Sequence, residues 1–279
     1  MDKLKRNLKK IVSMVWGLLP QKTEPNSIPV LCYHSVNEVW DDDVDPMHPR
    51  LFEEHLDFLI KYYQPISLTE WINSTFYGLD LPKNPVLITF DDGYKDNYDT
   101  VFPLVKSKNI PICIFVVTEF IKANIKLVDN QQFEAFNSAQ LTEMNNSGLV
   151  SFGAHTSTHR VLSALHYDEI KVEVNSSMTD LSKWLDISFN VFAYPFGQYR
   201  HVGRDAIAVL NESNAIASFS TVWGISNPSD NRLFVPRLVI RSSDSVADLR
   251  DKLEGKYSYL SFLHKFFGAV RQYTEKLGI

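Results

Sequence analysis

The sequence has few cysteines, no long apolar run and no excess of basic charge. Its two cysteines, Cys32 and Cys113, each lie inside an apolar segment, which indicates buried thiols and argues against a disulfide scaffold. No uninterrupted apolar run reaches the length of about eighteen residues that spans a membrane, so no conventional membrane span is predicted. A formal net charge of −5 gives no indication of nucleic-acid binding.

Two common catalytic signatures are also missing. The chain has no glycine-rich loop of the kind that cradles phosphate. It has no Gly-x-Ser-x-Gly elbow either, which argues against a serine hydrolase. What remains is a chain of 279 residues with 44% hydrophobic side chains, enough to bury a sizeable core as one large α/β domain or two small ones.

The most informative segment is residues 86–94, an apolar run that ends in two aspartates and a glycine. A short apolar run before a turn predicts a buried strand, and Asp91 and Asp92 then lie at its carboxyl end, where parallel sheets present catalytic groups. Adjacent carboxylates repel each other unless positive charge lies between them, and a metal ion held by one of them would supply it. The simpler interpretation is an Asp-Asp-Gly turn that leads into the next helix.

A second segment, residues 149–159, contains a spaced pair of histidines after another buried-strand pattern. His155 and His159 have three residues between them, so on a helical turn they would face one way and bind one ion. A lone histidine is more often an ordinary surface or core residue. One carboxylate and two imidazoles make a three-ligand site with positions left for water and substrate, which describes a catalytic metal centre.

These residues carry a family resemblance. Residues 89–93 (Thr-Phe-Asp-Asp-Gly), together with His155 and His159, resemble the first two motifs of the polysaccharide deacetylases, the NodB-homology family or carbohydrate esterase family 4. Residues 194–197 (Tyr-Pro-Phe-Gly) resemble a variant of its third motif. Residues 31–36 resemble the branch that includes the poly-N-acetylglucosamine deacetylases.

Strand and helix patterns alternate along the chain, which predicts a parallel sheet covered by helices. We expect an α/β fold, and the resemblance implies a distorted, incomplete (β/α) barrel with about seven parallel strands. It also implies one deacetylase domain over residues 28–255. The predicted strands cover residues 28–33, 86–90, 111–117, 149–154, 190–194, 215–219 and 233–240. The predicted helices cover residues 51–63, 98–108, 141–147, 167–185, 204–213 and 245–254, with a further short helix opening at 67–70.

Both ends of the chain carry amphipathic helical patterns, residues 1–20 with a basic polar face and residues 257–279 with many aromatics. The first segment is open to three interpretations: a signal peptide, an interfacial helix on an anionic membrane, or a helix packed on the domain. Its apolar part is short and no small-x-small cleavage site follows. For the second segment, the membrane helix and the packed helix are equally open. We expect peripheral membrane contact through these helices, with the cytoplasmic side favoured slightly over a secreted or cell-surface location.

The resemblance implies a chemistry for these residues. Asp92, His155 and His159 would bind one divalent ion, with zinc expected and other divalent transition metals open. Asp91 would be the general base, and the backbone N–H of Phe196 would donate to the oxyanion. The reaction implied is hydrolysis of the N-acetyl amide of an N-acetylated sugar in a polysaccharide or lipid-linked glycan, which releases acetate.

The sequence departs from the family pattern at two places. Many members draw their general acid from a Leu-x-His motif, but residues 236–240 contain no histidine. Our hypothesis is that His34 replaces it, because the first and last strands of a barrel are neighbours; the alternative is a histidine hydrogen-bonded at the rim. The arginine expected beside the third motif is also missing, and Arg237 is a candidate substitute that would orient Asp91. The alternative there is a surface ion pair.

Two other functions stay open at this point. Amidases of the same fold act on small cyclic amides, and some lack parts of the metal triad that is complete here. A protein that has lost turnover would instead be a glycan-binding protein, and the missing Leu-x-His histidine is the best support for that interpretation. In each glycan case the expected partner is an N-acetylated glycan, and no nucleic acid is expected.

Overall fold

The computed structural model describes residues 26–185 and 190–260. Its strands are β1 (Val30–Tyr33), β2 (Gln64–Ile66), β3 (Pro85–Phe90), β4 (Ile112–Val116), β5 (Val150–Ala154), β6 (Val191–Ala193), β7 (Ala217–Trp223) and β8 (Val235–Val239). Its α-helices are α1 (Pro49–Tyr62), α2 (Leu68–Tyr77), α3 (Phe102–Lys108), α4 (Thr118–Ile121), α5 (Ser138–Asn146), α6 (Tyr167–Leu185), α7 (Tyr199–Glu212) and α8 (Val246–Leu253).

Seven of the described strands close a parallel barrel. Their order is β1-β8-β7-β6-β5-β4-β3, and β3 pairs again with β1 through residues 87–90 opposite residues 30–33. Strand β2 lies outside this ring and pairs with the beginning of β3. The prediction of an α/β fold, a distorted barrel that is incomplete at about seven parallel strands instead of eight, is confirmed, and the described barrel is closed.

Alternate residues of each strand face opposite sides, because the side-chain period of a strand is two. One set packs inside the barrel, where Trp71 from α2 joins it and lies 5.0 Å from the Phe219 ring between centroids. The other set packs under the surrounding helices. Burial on both faces explains why these strands are continuous apolar runs in the sequence. The inner set comprises Val30, Leu87, Cys113, Phe115, Val191, Ala193, Ala217, Phe219 and Val235.

Several element boundaries differ from the predictions. The helix predicted for residues 98–108 begins with a π-helical turn, Asn97–Val101, before α3. The short helix predicted at Ser67 is confirmed, and Ser67 and Glu70 form its capping box. Strand β2 and helix α4 were not predicted, since three or four residues are too few to show a period.

The helices predicted at the two ends of the chain lie largely outside the described residues. Residues 1–20 lie outside the described residues, and so does the predicted C-terminal helix apart from residues 257–260. Within the described ranges, every helix is too short or too polar to cross a membrane.

Candidate metal centre and active site

A cavity of about 1080 Å³ opens where the barrel strands end. This is the edge at which parallel barrels present their functional groups. The predicted site residues that line the cavity are His34, Asp91, Asp92, His155, His159 and Phe196. Arg237 is fully buried beneath them and contacts Asp91. The structure therefore brings together all seven residues singled out from the sequence.

Asp92, His155 and His159 converge at one point of the cavity. One potential ligand atom from each lies within 4.8 Å of the other two. The Nε2 atoms of His155 and His159 lie 3.4 and 3.3 Å from Oδ1 of Asp92. Asp92 and His155 are buried, whereas the His159 side chain is partly open to the cavity. These atoms can hold one metal ion and leave its remaining positions facing the cavity.

The hydrogen bonds of His155 show that this point needs a cation. Its Nδ1 lies 2.7 Å from the carbonyl oxygen of Ala193, and a carbonyl can only accept, so Nδ1 carries a proton. Nε2 of the neutral ring is then a lone-pair acceptor that faces Oδ1 of Asp92, a buried atom with no hydrogen-bond partner in the described structure. Two facing acceptors require a proton or a metal ion between them. A histidine that donates its other N–H to a carbonyl is the usual arrangement at metal sites, so the residues fit a divalent ion.

Burial and charge act against each other in this group. Burial alone raises the pKa of Asp92, but His155, which donates to it when protonated, and the charge that His159 carries when protonated hold this pKa well below its ordinary value. Burial lowers the pKa of His159 to about 4 despite the attraction of Asp92, so this ring is neutral near neutral pH. Burial also disfavours charge on His155, but Asp91 and Asp92 raise its pKa above the ordinary value. A metal ion held at this point would therefore compete with a proton at His155.

The segment between the two histidines is an irregular loop, which corrects the expected helical turn. Thr156 and His159 have positive φ angles of 66° and 60°, which are incompatible with a right-handed helix. Glu173 of α6 holds the loop by accepting hydrogen bonds from the N–H groups of Ser157 (3.0 Å) and Thr158 (2.8 Å). The hydroxyl of Thr158 also donates to Glu173. These bonds replace a helix in directing both imidazoles to one side.

Asp91 is held by Arg237 through two parallel hydrogen bonds. Nη1 donates to Oδ1 at 2.8 Å and Nη2 donates to Oδ2 at 2.6 Å. The guanidinium is itself fixed, because its Nε donates to Ser220 O at 2.8 Å and its Nη1 to Thr89 Oγ1 at 3.1 Å. Burial alone raises the pKa of Asp91, but the charge of Arg237 holds it below the ordinary value. Arg237 is wholly buried, so the pair is not a surface ion pair.

His34 follows β1 and borders the same carboxylate. A ring nitrogen of His34, the Cys32 sulfur and an Asp91 oxygen all lie within 4.8 Å of one another. The Cys32 thiol lies 3.4 Å from Oδ2 of Asp91, a contact that the sequence did not suggest. Burial raises the pKa of Cys32, so it stays a thiol and donates to the carboxylate. Strands β1 and β8 are paired, as the hypothesis about His34 assumed.

Phe196 lies in a tight turn at the cavity wall. Its φ is 60°, and the next residue, Gly197, donates its N–H to Pro195 O at 2.7 Å. Thr221 fixes the turn by donating its N–H to Gly197 O at 3.0 Å and its hydroxyl to Phe196 O at 2.5 Å. The Phe196 N–H has no hydrogen-bond partner among residues 26–185 and 190–260. The ring of Phe196 lies 4.9 Å from that of His159 between centroids, so the turn is adjacent to the candidate metal ligands.

Three supporting residues were missed from the sequence: Glu173, Asp96 and Asn97. All are buried, and each binds backbone groups beside a site residue. Glu173 had a detectable signal, since it falls on the apolar stripe of α6 where a charge is out of place. Asp96 and Asn97 had none, because a polar turn after a strand is ordinary.

Three comparisons relate the chain to known proteins. The family profile of the polysaccharide deacetylases matches residues 78–213. YxkH of Bacillus subtilis, which carries the name of a polysaccharide deacetylase, is 29% identical over 184 residues, or 64% of this chain and 60% of that protein. The poly-beta-1,6-N-acetyl-D-glucosamine N-deacetylase of Staphylococcus aureus N315 is 26% identical over 183 residues, or 62% of this chain and 60% of that protein. The structure of Streptococcus pyogenes deacetylase PplD in complex with acetate superposes with a TM-score of 0.73 at 23% identity, over 82% of this chain and 99% of that one.

These likenesses differ in what they establish. The chain spans 60% of the length of the curated relatives it matches. The superposition on PplD, at 23% identity, concerns the fold. The matched profile contains Asp91, Asp92, His155 and His159, the residues that converge in the cavity. Residues 78–213 of the chain therefore resemble the polysaccharide deacetylase family by profile, and the fold and the position of the motifs agree with this likeness.

Proposed function

We propose that this protein is a metal-dependent hydrolase that removes the N-acetyl group from an N-acetylated sugar of a glycan, acting on a non-peptide C–N bond. The observation that carries the proposal is the position of His155 and His159 around Oδ1 of Asp92, an oxygen without a hydrogen-bond partner in the described structure. Beside this group lies Asp91, which Arg237 holds in place. The products would be acetate and a free amine on the sugar.

Asp92, His155 and His159 would hold one divalent ion, zinc by preference, with other divalent transition metals open because the ligand set is borderline in softness. When bound, such an ion supplies positive charge that polarises the acetamide carbonyl and makes water easier to deprotonate. The neutral state of His159 supports this assignment, because a ligand imidazole must offer its lone pair.

Asp91 would act as the general base. Its lowered pKa keeps the carboxylate ionised near neutral pH, and both oxygens are oriented by Arg237. An ionised carboxylate next to the cavity can take a proton from attacking water, provided that the water lies within hydrogen-bond reach. The proton passes from the water oxygen to Asp91 as that oxygen bonds to the acetyl carbon.

The free N–H of Phe196 would donate to the oxygen that becomes negatively charged. A donor fixed in such a position contributes about 3 kcal/mol to transition-state stability. The positive φ of Phe196 and the two bonds from Thr221 hold the turn without using this N–H. The turn is therefore organised before substrate binds.

His34 would give a proton to the departing amine. A sugar amine is a poor leaving group as an anion, so the C–N bond breaks only if nitrogen is protonated. His34 borders the cavity close to Asp91, and this position supports the role. His34 would then replace the histidine of the Leu-x-His motif, which this sequence lacks. A replacement acid also weakens the case for a non-catalytic glycan-binding protein, and the complete metal triad weakens the case for a cyclic amidase.

The size of the cavity supports a glycan substrate. At about 1080 Å³ it exceeds the space that one monosaccharide needs. The name of the Staphylococcus aureus relative makes poly-β-1,6-N-acetyl-D-glucosamine the first substrate to test.

The decisive experiment measures acetate released from poly-β-1,6-N-acetylglucosamine fragments and from chitooligosaccharides. We expect release on at least one of them, loss of release after treatment with a chelator, and recovery with zinc or another divalent transition metal. Binding of either glycan without acetate release, in protein shown to contain metal, would favour the glycan-binding alternative. Turnover of a cyclic amide alone would favour the amidase.

Location remains a separate proposal. We propose peripheral attachment to a membrane through residues 1–20 and 257–279, with the cytoplasmic side slightly favoured. The basic and apolar pattern of the first segment supports it. N-terminal sequencing of protein from washed membranes tests it: an intact first residue is expected, and trimming near residue 20 would indicate export.

A further inference from the structure

Two buried polar residues, Asp96 and Asn97, have no part in the reaction described above. Asp96 is 6% exposed and Asn97 is completely buried. They lie at the start of the π-helical turn after β3, a few residues beyond the catalytic aspartates. Burying such polar groups lowers stability unless each is hydrogen-bonded, so their partners indicate what they are for.

Their partners include three consecutive residues that begin with His34. Asn97 Nδ2 donates to the carbonyl oxygen of His34 at 2.9 Å. Asp96 accepts from the hydroxyl of Ser35 at 2.5 Å and from the N–H of Val36 at 3.1 Å. Asn97 also donates to Asp96 at 3.0 Å, which joins the two side chains into one unit. We call Asp96 and Asn97 the clamp.

The clamp completes the fixation of the His34 backbone. On the other side of His34, Tyr33 O accepts from the N–H of Asp91 at 3.0 Å as the strand pairing ends. His34 is therefore held from β1 and from the clamp at once. Because the backbone sets the direction of Cβ, this double attachment fixes the Cα–Cβ bond from which the imidazole extends. His34 lies after the last residue of β1, where strand pairing alone no longer fixes its direction.

Burial raises the pKa of Asp96, although the bonds from Ser35 and Val36 oppose this shift. The clamp requires three groups at fixed positions. One is an acceptor, the carbonyl oxygen of His34, and two are donors, the Ser35 hydroxyl and the Val36 N–H. Buried polar groups of this kind select one backbone geometry among several of similar energy.

We propose that Asp96 and Asn97 are positioning residues that hold His34 where its imidazole can protonate the leaving amine. The inference rests on the proposed function of the site. It requires that loss of the clamp impair proton delivery more than it impairs metal binding or the attack on the carbonyl.

Two acetyl substrates separate these effects. An N-acetylated chitooligosaccharide needs a proton on its departing nitrogen, whereas 4-nitrophenyl acetate releases a stable phenolate that does not. We expect Asn97→Ala and Asp96→Ala to lower kcat for the amide about 10- to 100-fold, the penalty of a misplaced catalytic group, with KM and the ester rate nearly unchanged. His34→Ala should show the same selectivity, and adding Asn97→Ala to it should cause little further loss.

Conservative variants show whether a loss of activity results from simple unfolding. Asp96→Asn keeps an acceptor for Val36, and its amide group can donate to the Ser35 hydroxyl, so it should restore most of the amide activity. Ser35→Ala removes one bond only and should give a smaller selective loss. Asp99→Asn, an exposed change on the same turn, is the matched control and should leave both rates unchanged.

The outcomes distinguish this inference from the proposed function. If the clamp variants lose amide and ester hydrolysis in equal proportion, the clamp is merely structural and the inference fails, while the deacetylase proposal stands. Full amide turnover in His34→Ala would remove the role that the clamp is inferred to serve. Failure of the wild-type protein to release acetate from any glycan would overturn the proposed function itself.

Discussion

Arg237 and Asp91, 146 positions apart in the sequence, form a wholly buried bidentate ion pair with hydrogen bonds of 2.8 and 2.6 Å. Removing one member of such a pair leaves an uncompensated buried charge, at a cost of about 3–5 kcal/mol. The pair therefore stabilises the barrel and, at the same time, fixes the orientation and the charge of the proposed base.

Arg237→Lys is expected to lower kcat for acetate release about 10- to 100-fold with a smaller change in KM, because lysine cannot bind both oxygens of Asp91 in a plane. Arg237 lowers the pKa of Asp91, so the variant should have a higher Asp91 pKa and an acid limb displaced to higher pH. Steady-state kinetics across pH measure both effects. Arg160→Lys, in an exposed pair with Glu169, is the control. A profile that overlays the wild type would exclude the orienting role.

Asp92→Asn is expected to weaken metal binding at least tenfold, because it removes the charged ligand between the two histidines. Calorimetric titration of the metal-free protein with zinc measures this without reference to activity. In the wild type the affinity should rise with pH, since the metal displaces a proton from His155, whose pKa is raised. Unchanged zinc affinity in the variant would mean that the ion binds elsewhere.

Glu173→Ala should weaken metal affinity about 10- to 100-fold, because it releases the loop that carries His159. Glu173→Gln keeps an acceptor for the two loop N–H groups and should retain most of the affinity. Val172→Ala, an exposed change on the same helix, is the matched control. Equal affinity in all three variants would show that the loop holds its shape without Glu173.

Gly197→Ala should lower kcat about 100-fold or more, the loss expected when an oxyanion donor is displaced. A Cβ at this position would lie 2.5 Å from the Thr221 nitrogen, and φ is +60°, so the turn that presents the Phe196 N–H must move. Gly148→Ala has a similar positive φ but open space around it, and should affect stability alone. Phe196→Gly keeps both the N–H and the backbone angle, so it should stay active. An inactive variant would show that the Phe196 ring, and not its N–H, is required for activity.

His55 should make stability depend on pH. It is buried, with Nδ1 3.1 Å from the Tyr33 hydroxyl and Nε2 2.9 Å from Asp244 O, and burial lowers its pKa below the ordinary value. As pH falls below about 6.5, the unfolded chain takes up the proton first, so the free energy of unfolding decreases by up to about 1.4 kcal/mol per pH unit until the folded pKa is reached. Urea unfolding of wild type and His55→Gln should show a steeper loss in the wild type. Parallel slopes would contradict this.

The sequence was sufficient for features determined locally. The apolar run before Asp91 and Asp92 is visible in a few residues, and the alternation of strands and helices limits the fold to a parallel sheet. Closure was harder to predict. It depends on β3 pairing directly with β1 while the short β2 is left outside the ring.

The supporting contacts could not be predicted because they join distant segments. Arg237 was a candidate only by its place in the family pattern, and nothing in its neighbours predicts complete burial. The loop between His155 and His159 resembled a helical turn by spacing, but its positive φ angles depend on bonds to Glu173 in another helix. Such residues become recognisable only when their partners are known.

Trp71 packs against Phe219 inside the barrel, so side chains fill the described interior below the cavity and its site residues. Under the proposed function, acetate formed beside Asp91 would leave through the same cavity by which the glycan enters. Accumulated acetate would then compete with the next acetylated unit for this cavity.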